Sequence, residues 1–186
     1  MRIIAGQFKG RKINFPEEKN TRPLRDFVRE SIFNIIENSS KLKFQIEDSI
    51  VLDLFSGTGS FGLECISRGA KNVTFFENYP NTLKILKKNI KLLNVSKKCE
   101  IFEQNSFNLF DNNKILSQKF DLIFLDPPYR EKNINLLIEN ILAKKILNKK
   151  GLIIIHRHKN DDLEITSKFK IKDIRFYGIS KILIGE

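Results

Sequence analysis

Gly57, Gly59 and Gly62 stand at G-x-G-x-x-G spacing within VLDLFSGTGSFGLE, residues 51–64. Glycines belong at that spacing where an apolar strand turns tightly into a helix, because the backbone must approach a ligand closely and the helix N-terminus aims amide donors at it. Glu77 ends the next apolar run, 15 residues beyond the last glycine, where a carboxylate can accept ribose hydroxyls. The pattern suits a nucleotide-like ligand, and nicotinamide and flavin enzymes use the same turn. Asp53 narrows the choice. Its carboxylate lies just before the turn, where it would repel a pyrophosphate and attract an ammonium, directly or through water. S-adenosylmethionine carries such an ammonium and no phosphate, so the turn favours it.

A second set of residues follows the apolar run Phe120 to Leu125, at the carboxyl edge of a sheet where ligands bind: Asp126, Pro127, Pro128 and Tyr129. Consecutive prolines fix φ and restrict the residue before them, so the Asp126 side chain and the Pro127 carbonyl are expected to point outward as two acceptors. Two acceptors suit an exocyclic amine. An aromatic amine is a poor nucleophile because its lone pair is delocalised, and accepting its two N–H protons localises that pair toward an incoming methyl group. Tyr129 offers a face on which a flipped base stacks, worth about 1 to 3 kcal/mol. His156 and His158 have H-x-H spacing but no carboxylate or cysteine at ligand spacing beside them, so they read as a polar strand end and no metal is expected. Cys65 and Cys99 are too few for a disulfide framework and read as reduced thiols.

The elements that must hold these residues alternate short apolar runs with longer amphipathic stretches from Ile50 onward, the pattern of βαβ units around a parallel sheet. Five core strands are readable: Ile50 to Leu54, Asn72 to Glu77, Glu100 to Glu103, Phe120 to Leu125 and Gly151 to His156. Ser60 to Arg68, Pro80 to Leu93 and Ile134 to Leu142 read as helices, with Leu83, Leu86, Ile90 and Leu93 recurring at helical spacing. Phe169 to Phe176 and Ile179 to Ile184 predict an antiparallel hairpin that closes one edge. Ahead of the sheet, Arg2 to Ile4 and Arg11 to Phe15 predict two short strands around Gly6 and Gly10, and Leu24 to Asn38 predicts a helix with Val28, Ile32, Ile35 and Ile36 on one face. This divides the chain into a basic appendage, residues 1–48, and an α/β domain, residues 49–186.

The chain has 186 residues, 41% of them hydrophobic, and a net charge of +11, which excludes bulk disorder and permits one sizeable core. Its apolar runs are far shorter than the roughly 20 residues a bilayer span needs, and Met1 to Lys12 offers no signal-peptide core, so a cytoplasmic protein without a membrane partner is expected. Abundant Lys, Asn and Ile are also what A+T-rich coding would give, so charge alone is weak testimony. The N-terminal cluster is more pointed. Arg2, Lys9, Arg11 and Lys12 flank the expected hairpin and Arg22, Arg25 and Arg29 lead into the first helix, opposed only by Glu17, Glu18 and Asp26. They predict an RNA-binding surface.

VLDLFSGTGSFGLE, FFEN and DPPY, in this order, resemble the class I S-adenosylmethionine-dependent methyltransferases that modify exocyclic amino groups. RIIAGQFKGRKI followed by RPLRDFVRESIFN resembles, more narrowly, the RsmD family of bacterial small-subunit (16S) rRNA guanine N2-methyltransferases, and matches run on through GLIII at 151–155 and YGIS at 177–180. The glycine turn and DPPY are shared with DNA adenine enzymes; the N-terminal segments are the family-specific part. The resemblance implies a Rossmann-like fold, its mostly parallel seven-stranded sheet flanked by helices, with a C-terminal antiparallel hairpin and a small N-terminal β-hairpin. It implies cofactor contacts from Asp53, Phe55, Gly57, Thr58, Gly59, Glu77 and Asn78, with Asn105 and Ser106 near the adenine, and a guanine held by Asp126, Pro127, Pro128 and Tyr129. Two positions depart from the family pattern: Leu24 replaces a Thr, and His156 stands where many members carry Glu.

The activity implied is methyl transfer from S-adenosylmethionine, leaving S-adenosylhomocysteine, to guanine N2 of 16S rRNA or of a small-subunit assembly intermediate, by a monomer that needs no metal. Two rivals share part of this signal. One is an adenine N6-methyltransferase acting on DNA or RNA, which would use the same DPPY; a chain without a separate target-recognition domain argues against sequence-specific DNA binding. The other is a catalytically silent RNA-binding assembly factor, against which stand the intact glycine turn and DPPY.

Overall fold

Side chains alternate across a strand, so a strand with apolar side chains on both faces must be covered on both. The computed structural model, which describes residues 1–16, 26–161 and 164–186, places such strands at its centre. They are β1 (Ile50–Leu54), β2 (Asn72–Phe76), β3 (Cys99–Phe102), β4 (Phe120–Leu125) and β5 (Leu147–His158), followed by β6 (Ile171–Tyr177) and β7 (Ser180–Gly185). Helices α1 (Asp26–Asn38), α2 (Ser60–Ser67), α3 (Pro80–Leu92), α4 (Asn113–Ser117) and α5 (Ile134–Ala143) flank them. Val51, Phe75, Phe124 and Ile154 enter one apolar layer with α1, α2 and α3; Leu52, Phe76, Ile123 and Ile155 enter the other with α4 and α5.

The sheet order is β3-β2-β1-β4-β5-β7-β6, with β1 to β5 parallel and β7 antiparallel to both of its neighbours. This is the mostly parallel class I methyltransferase fold that the resemblance implied, flanked by helices. The C-terminal hairpin closes the edge as expected, with β7 pairing to β5 and β6 outermost. Strand order reverses between β1 and β4, and in open α/β sheets the crevice outside that switch point is where ligands bind.

Three segments differ from the sequence reading. β5 begins at Leu147 rather than Gly151 and runs two residues further, to His158, because Asn148, Lys149 and Lys150 conceal its start and the β4 ladder is irregular between Phe120 and Leu122. The two short N-terminal strands reduce to one bridge, Arg2 to Lys12, around a 3-10 turn at Gly6–Phe8. Gly6 and Gly10 curl the chain at φ of +76° and +82°, and the Ile4 and Ala5 N–H groups are taken by the Glu64 carboxylate instead of a ladder. Finally, the described parts of the N-terminal appendage pack on the sheet: Ile3, Phe8, Ile13, Ile32 and Phe33 belong to the same apolar layer as β1, β2 and β4. The start of the Leu24 to Asn38 helix lies outside the described residues.

Candidate active site

The glycine turn leaves β1 and the DPPY run leaves β4, and these are adjacent strands: Leu54 pairs with Leu125, and the Asp126 N–H donates to the Leu54 carbonyl at 3.4 Å. Phe55 follows at φ +59°, a left-handed conformation rare for an aromatic residue, and its N–H donates to Ser106 Oγ at 3.0 Å. Such strain collects at functional turns.

The glycines divide the work of the turn. A Cβ at Gly57, where φ is +54°, would meet nothing within 4 Å. A Cβ at Gly59 would sit 2.3 Å from Leu86 Cδ1 and one at Gly62 2.4 Å from the Phe75 ring, so these two bring the turn and α2 close to α3 and β2. Of the three, Gly57 alone faces open space among the described residues, and its N–H donates to Glu77 Oε2 at 2.6 Å. Glu77 Oε1 accepts from the Asn78 and Tyr79 N–H groups at 2.9 and 2.7 Å. Oε2, with one such bond, keeps acceptor capacity for a hydroxyl. A bare glycine backbone beside a hydroxyl acceptor is the cradle a nucleoside would need, so the residues fit S-adenosylmethionine.

Asp53 is buried, and its Oδ2 accepts from the Gly62 N–H at 2.9 Å, tying the end of β1 to the first turn of α2. Burial pushes its carboxyl well above the usual carboxylate range; the Gly62 bond opposes this, and the neighbouring charges of Asp126 and Glu77 add to it. Thr58 is buried and held through its carbonyl by Asn89 Nδ2 at 3.1 Å, whereas Asn78 and Asn105 are exposed. Asn105 Oδ1 caps the 3-10 turn Ser106–Asp111 by accepting from the Phe107 N–H at 3.0 Å.

Around DPPY the surroundings are more elaborate than the motif announces. His156 Nδ1 lies 2.7 Å from Asp126 Oδ1, and its Nε2 lies 2.9 Å from Ser180 Oγ. The Tyr129 ring is met edge-on by the rings of His156 and His158, at centroid distances of 5.9 and 5.2 Å. Buried Arg157 donates to the carbonyls of Pro128, Tyr129 and Glu131 at 3.3, 3.1 and 3.0 Å and pairs with Asp161. It clamps the loop that carries Tyr129. A cleft of about 460 Å³ opens beside Tyr129, lined also by Arg130, Lys132 and His158.

The family model Conserved hypothetical protein 95 matches residues 1–186 of the chain. The chain belongs to this family. It is 36% identical over 169 residues to Ribosomal RNA small subunit methyltransferase D of Buchnera aphidicola subsp. Acyrthosiphon pisum, covering 91% of this chain and 84% of the relative. The protein of the same name from Haemophilus influenzae is 39% identical over 145 residues, 75% of this chain and 72% of its own. The solved structure of yhhF from Escherichia coli superposes with a TM-score of 0.80 at 26% identity, over 100% of this chain and 96% of that one. The RsmD resemblance carried by the N-terminal segments therefore holds.

Within the family frame, the basic residues read from the sequence separate. Arg2, Lys9, Arg11 and Lys12 are exposed, and a smaller cleft of about 270 Å³ includes Arg2 and Lys9 together with Asp26 and Glu30. Arg22 and Arg25 lie outside the described residues, as does Leu24. Arg29 is a correction. Expected at an RNA surface, it is fully buried, donates to the Arg2 carbonyl and to Asp26, and lies 3.9 Å from Glu64 Oε2. It sits inward because α1 presents it on the same face as Val28, Ile32 and Phe33, against α2. The roles of His156 and Arg157 escaped the sequence reading, since both act across strands on residues 26 to 30 positions away; the only trace was a polar pair ending an otherwise apolar strand. Cys65 and Cys99 are free thiols that burial pushes up, Cys99 to about 12, so neither is a ready nucleophile.

Proposed function

We propose that the protein transfers a methyl group from S-adenosylmethionine to the exocyclic N2 amine of a guanine in 16S rRNA. The carrying observation is the juxtaposition of the glycine turn and DPPY at the switch point, where Leu54 and Leu125 pair and Asp126 hydrogen-bonds back to β1. The guanine and small-subunit parts of the reading lean on the family resemblance and on the names of the relatives.

The bound cofactor would supply an electrophilic methyl group on a sulfonium, which needs no metal. Glu77 and the Gly57 backbone would hold its nucleoside, and Asp53 would face its ammonium. Asp126 would accept one amine N–H and the Pro127 carbonyl the other, turning the nitrogen lone pair toward the methyl group. Tyr129, steadied by T-shaped contacts with two imidazoles and by Arg157 behind its loop, would stack on the base. Rate would come from positioning and from the acceptor pair rather than from a strong base. No helix among the described residues is long and apolar enough to cross a membrane.

Kinetics of active-site variants test the assignment. Asp126→Ala should lower kcat by about 100-fold or more while leaving cofactor affinity intact, as expected when a preorganised hydrogen-bonding group is lost. Tyr129→Ala should weaken substrate capture by about 1 to 3 kcal/mol, and Tyr129→Phe should retain it. Equal behaviour of the two Tyr129 variants would contradict the stacking role.

A further inference from the structure

We propose that Ser180 and His156 form a positioning pair that locks the Asp126 carboxylate, engaging Oδ1 so that Oδ2 is the oxygen offered to the exocyclic amine; this rests on the reading above that Asp126 accepts that amine. The β4–β5 ladder ends with Leu125 paired to Ile155, which brings the next residues, Asp126 and His156, side by side just past the last β4–β5 pair, while His156 stays in β5 and pairs with Ile182 of β7. Their contact of 2.7 Å is short, in the range of charge-assisted hydrogen bonds. A carboxylate only accepts, so the proton in that contact sits on Nδ1.

Fixing Nδ1–H makes Nε2 the acceptor of a neutral ring, and Ser180 Oγ at 2.9 Å meets that need by donating its hydroxyl proton. Should the ring take up a second proton, the same hydroxyl turns and accepts, and the bond to Asp126 persists in both states. His156 and Ser180 are 6% and 5% exposed, so water is a poor substitute for either partner. Ser180 is the first residue of β7, directly after the turn at Gly178 and Ile179, so the antiparallel hairpin delivers the hydroxyl. The ring that holds Asp126 also makes a T-shaped contact with Tyr129, so one imidazole sets both the acceptor and the stacking platform.

Two measurements decide the lock. The chain has only two histidines, so two-bond ¹⁵N–¹H spectra of uniformly labelled protein, compared with His156→Gln, assign the His156 ring directly. The neutral Nδ1–H tautomer is expected, with mixing of tautomers in Ser180→Ala; an Nε2–H tautomer in the parent protein would overturn the proposal. Methyl transfer from S-adenosylmethionine to small ribosomal subunits from cells lacking this methylation gives the second readout. His156→Phe should lose about tenfold or more in kcat with KM for the cofactor unchanged, as when a partner that orients a functional group is removed. His156→Gln, which keeps an N–H toward Asp126, should recover most of it. Parental kcat in His156→Phe would also overturn the lock. A parent protein that methylates nothing in those subunits would instead overturn the substrate assignment, and the tautomer, which needs no substrate, would still decide the lock.

Discussion

Asp53 carries two opposed demands on one carboxylate. Buried beneath the turn, it is costly to ionise, yet its charge is what would draw the cofactor's ammonium. Its folded pKa is raised above the unfolded value of about 3.9, so the folded protein holds a proton that the unfolded chain releases. Stability is therefore lost as pH rises from about 4 through the folded pKa, and the loss persists above it. Asp53→Asn keeps an oxygen for the Gly62 N–H and removes the charge. Thermal melts should find this variant more stable than the parent at neutral pH, with the gain disappearing toward pH 4, and calorimetry should find its affinity for S-adenosylmethionine reduced. A variant no more stable at pH 7, or one that binds the cofactor as well as the parent, would contradict this account of Asp53.

At the scale of elements, the core of the sheet and its longer helices were legible because the core strands centre on apolar runs and each longer helix carries an apolar stripe, whereas five-residue α4 is too short to show one. The glycine turn was legible for the same reason, since only a strand, a bend and a helix in succession need Gly57, Gly59 and Gly62. What escaped the sequence was long-range pairing of polar groups. Glu64 is the clearest case: it sits in α2 two residues past the last motif glycine, yet its carboxylate receives Ile4 N–H, Ala5 N–H and Arg68 Nε at 2.7, 2.9 and 2.9 Å, with Arg29 at 3.9 Å. It ties the N-terminal segment and α1 to the helix that opens the cofactor turn. Arg29, whose Nε and Nη1 find no hydrogen-bond partner among the described residues, depends on that charge for compensation. Glu64→Gln should therefore cost about 3 to 5 kcal/mol, the penalty for breaking a buried pair, read as a lower urea midpoint. A loss below about 1 kcal/mol would mean that the network contributes little beyond its packing.

The whole molecule presents exposed Arg2, Lys9, Arg11 and Lys12 on a segment that shares its core with the sheet through Ile3, Phe8 and Ile13. Deleting that segment would strip the core, so charge removal is the cleaner probe of RNA binding. Replacing the four residues by Ala should leave cofactor binding intact and reduce the slope of log affinity against log salt by about three, at roughly 0.7 to 0.9 per phosphate contact. An unchanged slope would place RNA recognition on another face. Buried Asn89 joins this segment to the glycine turn, accepting from the Asn14 N–H at 2.7 Å and donating to the Thr58 carbonyl at 3.1 Å, so the basic residues and the turn proposed to cradle the cofactor belong to one hydrogen-bonded frame. Mapping the methylated nucleotide tests that frame as a whole. Small subunits from cells lacking this methylation, incubated with the protein and methyl-labelled S-adenosylmethionine, should carry the label in a single ribonuclease fragment of the rRNA and, after digestion of that fragment to nucleosides, in N2-methylguanosine. N6-methyladenosine, or no methylated nucleoside at all, would contradict it.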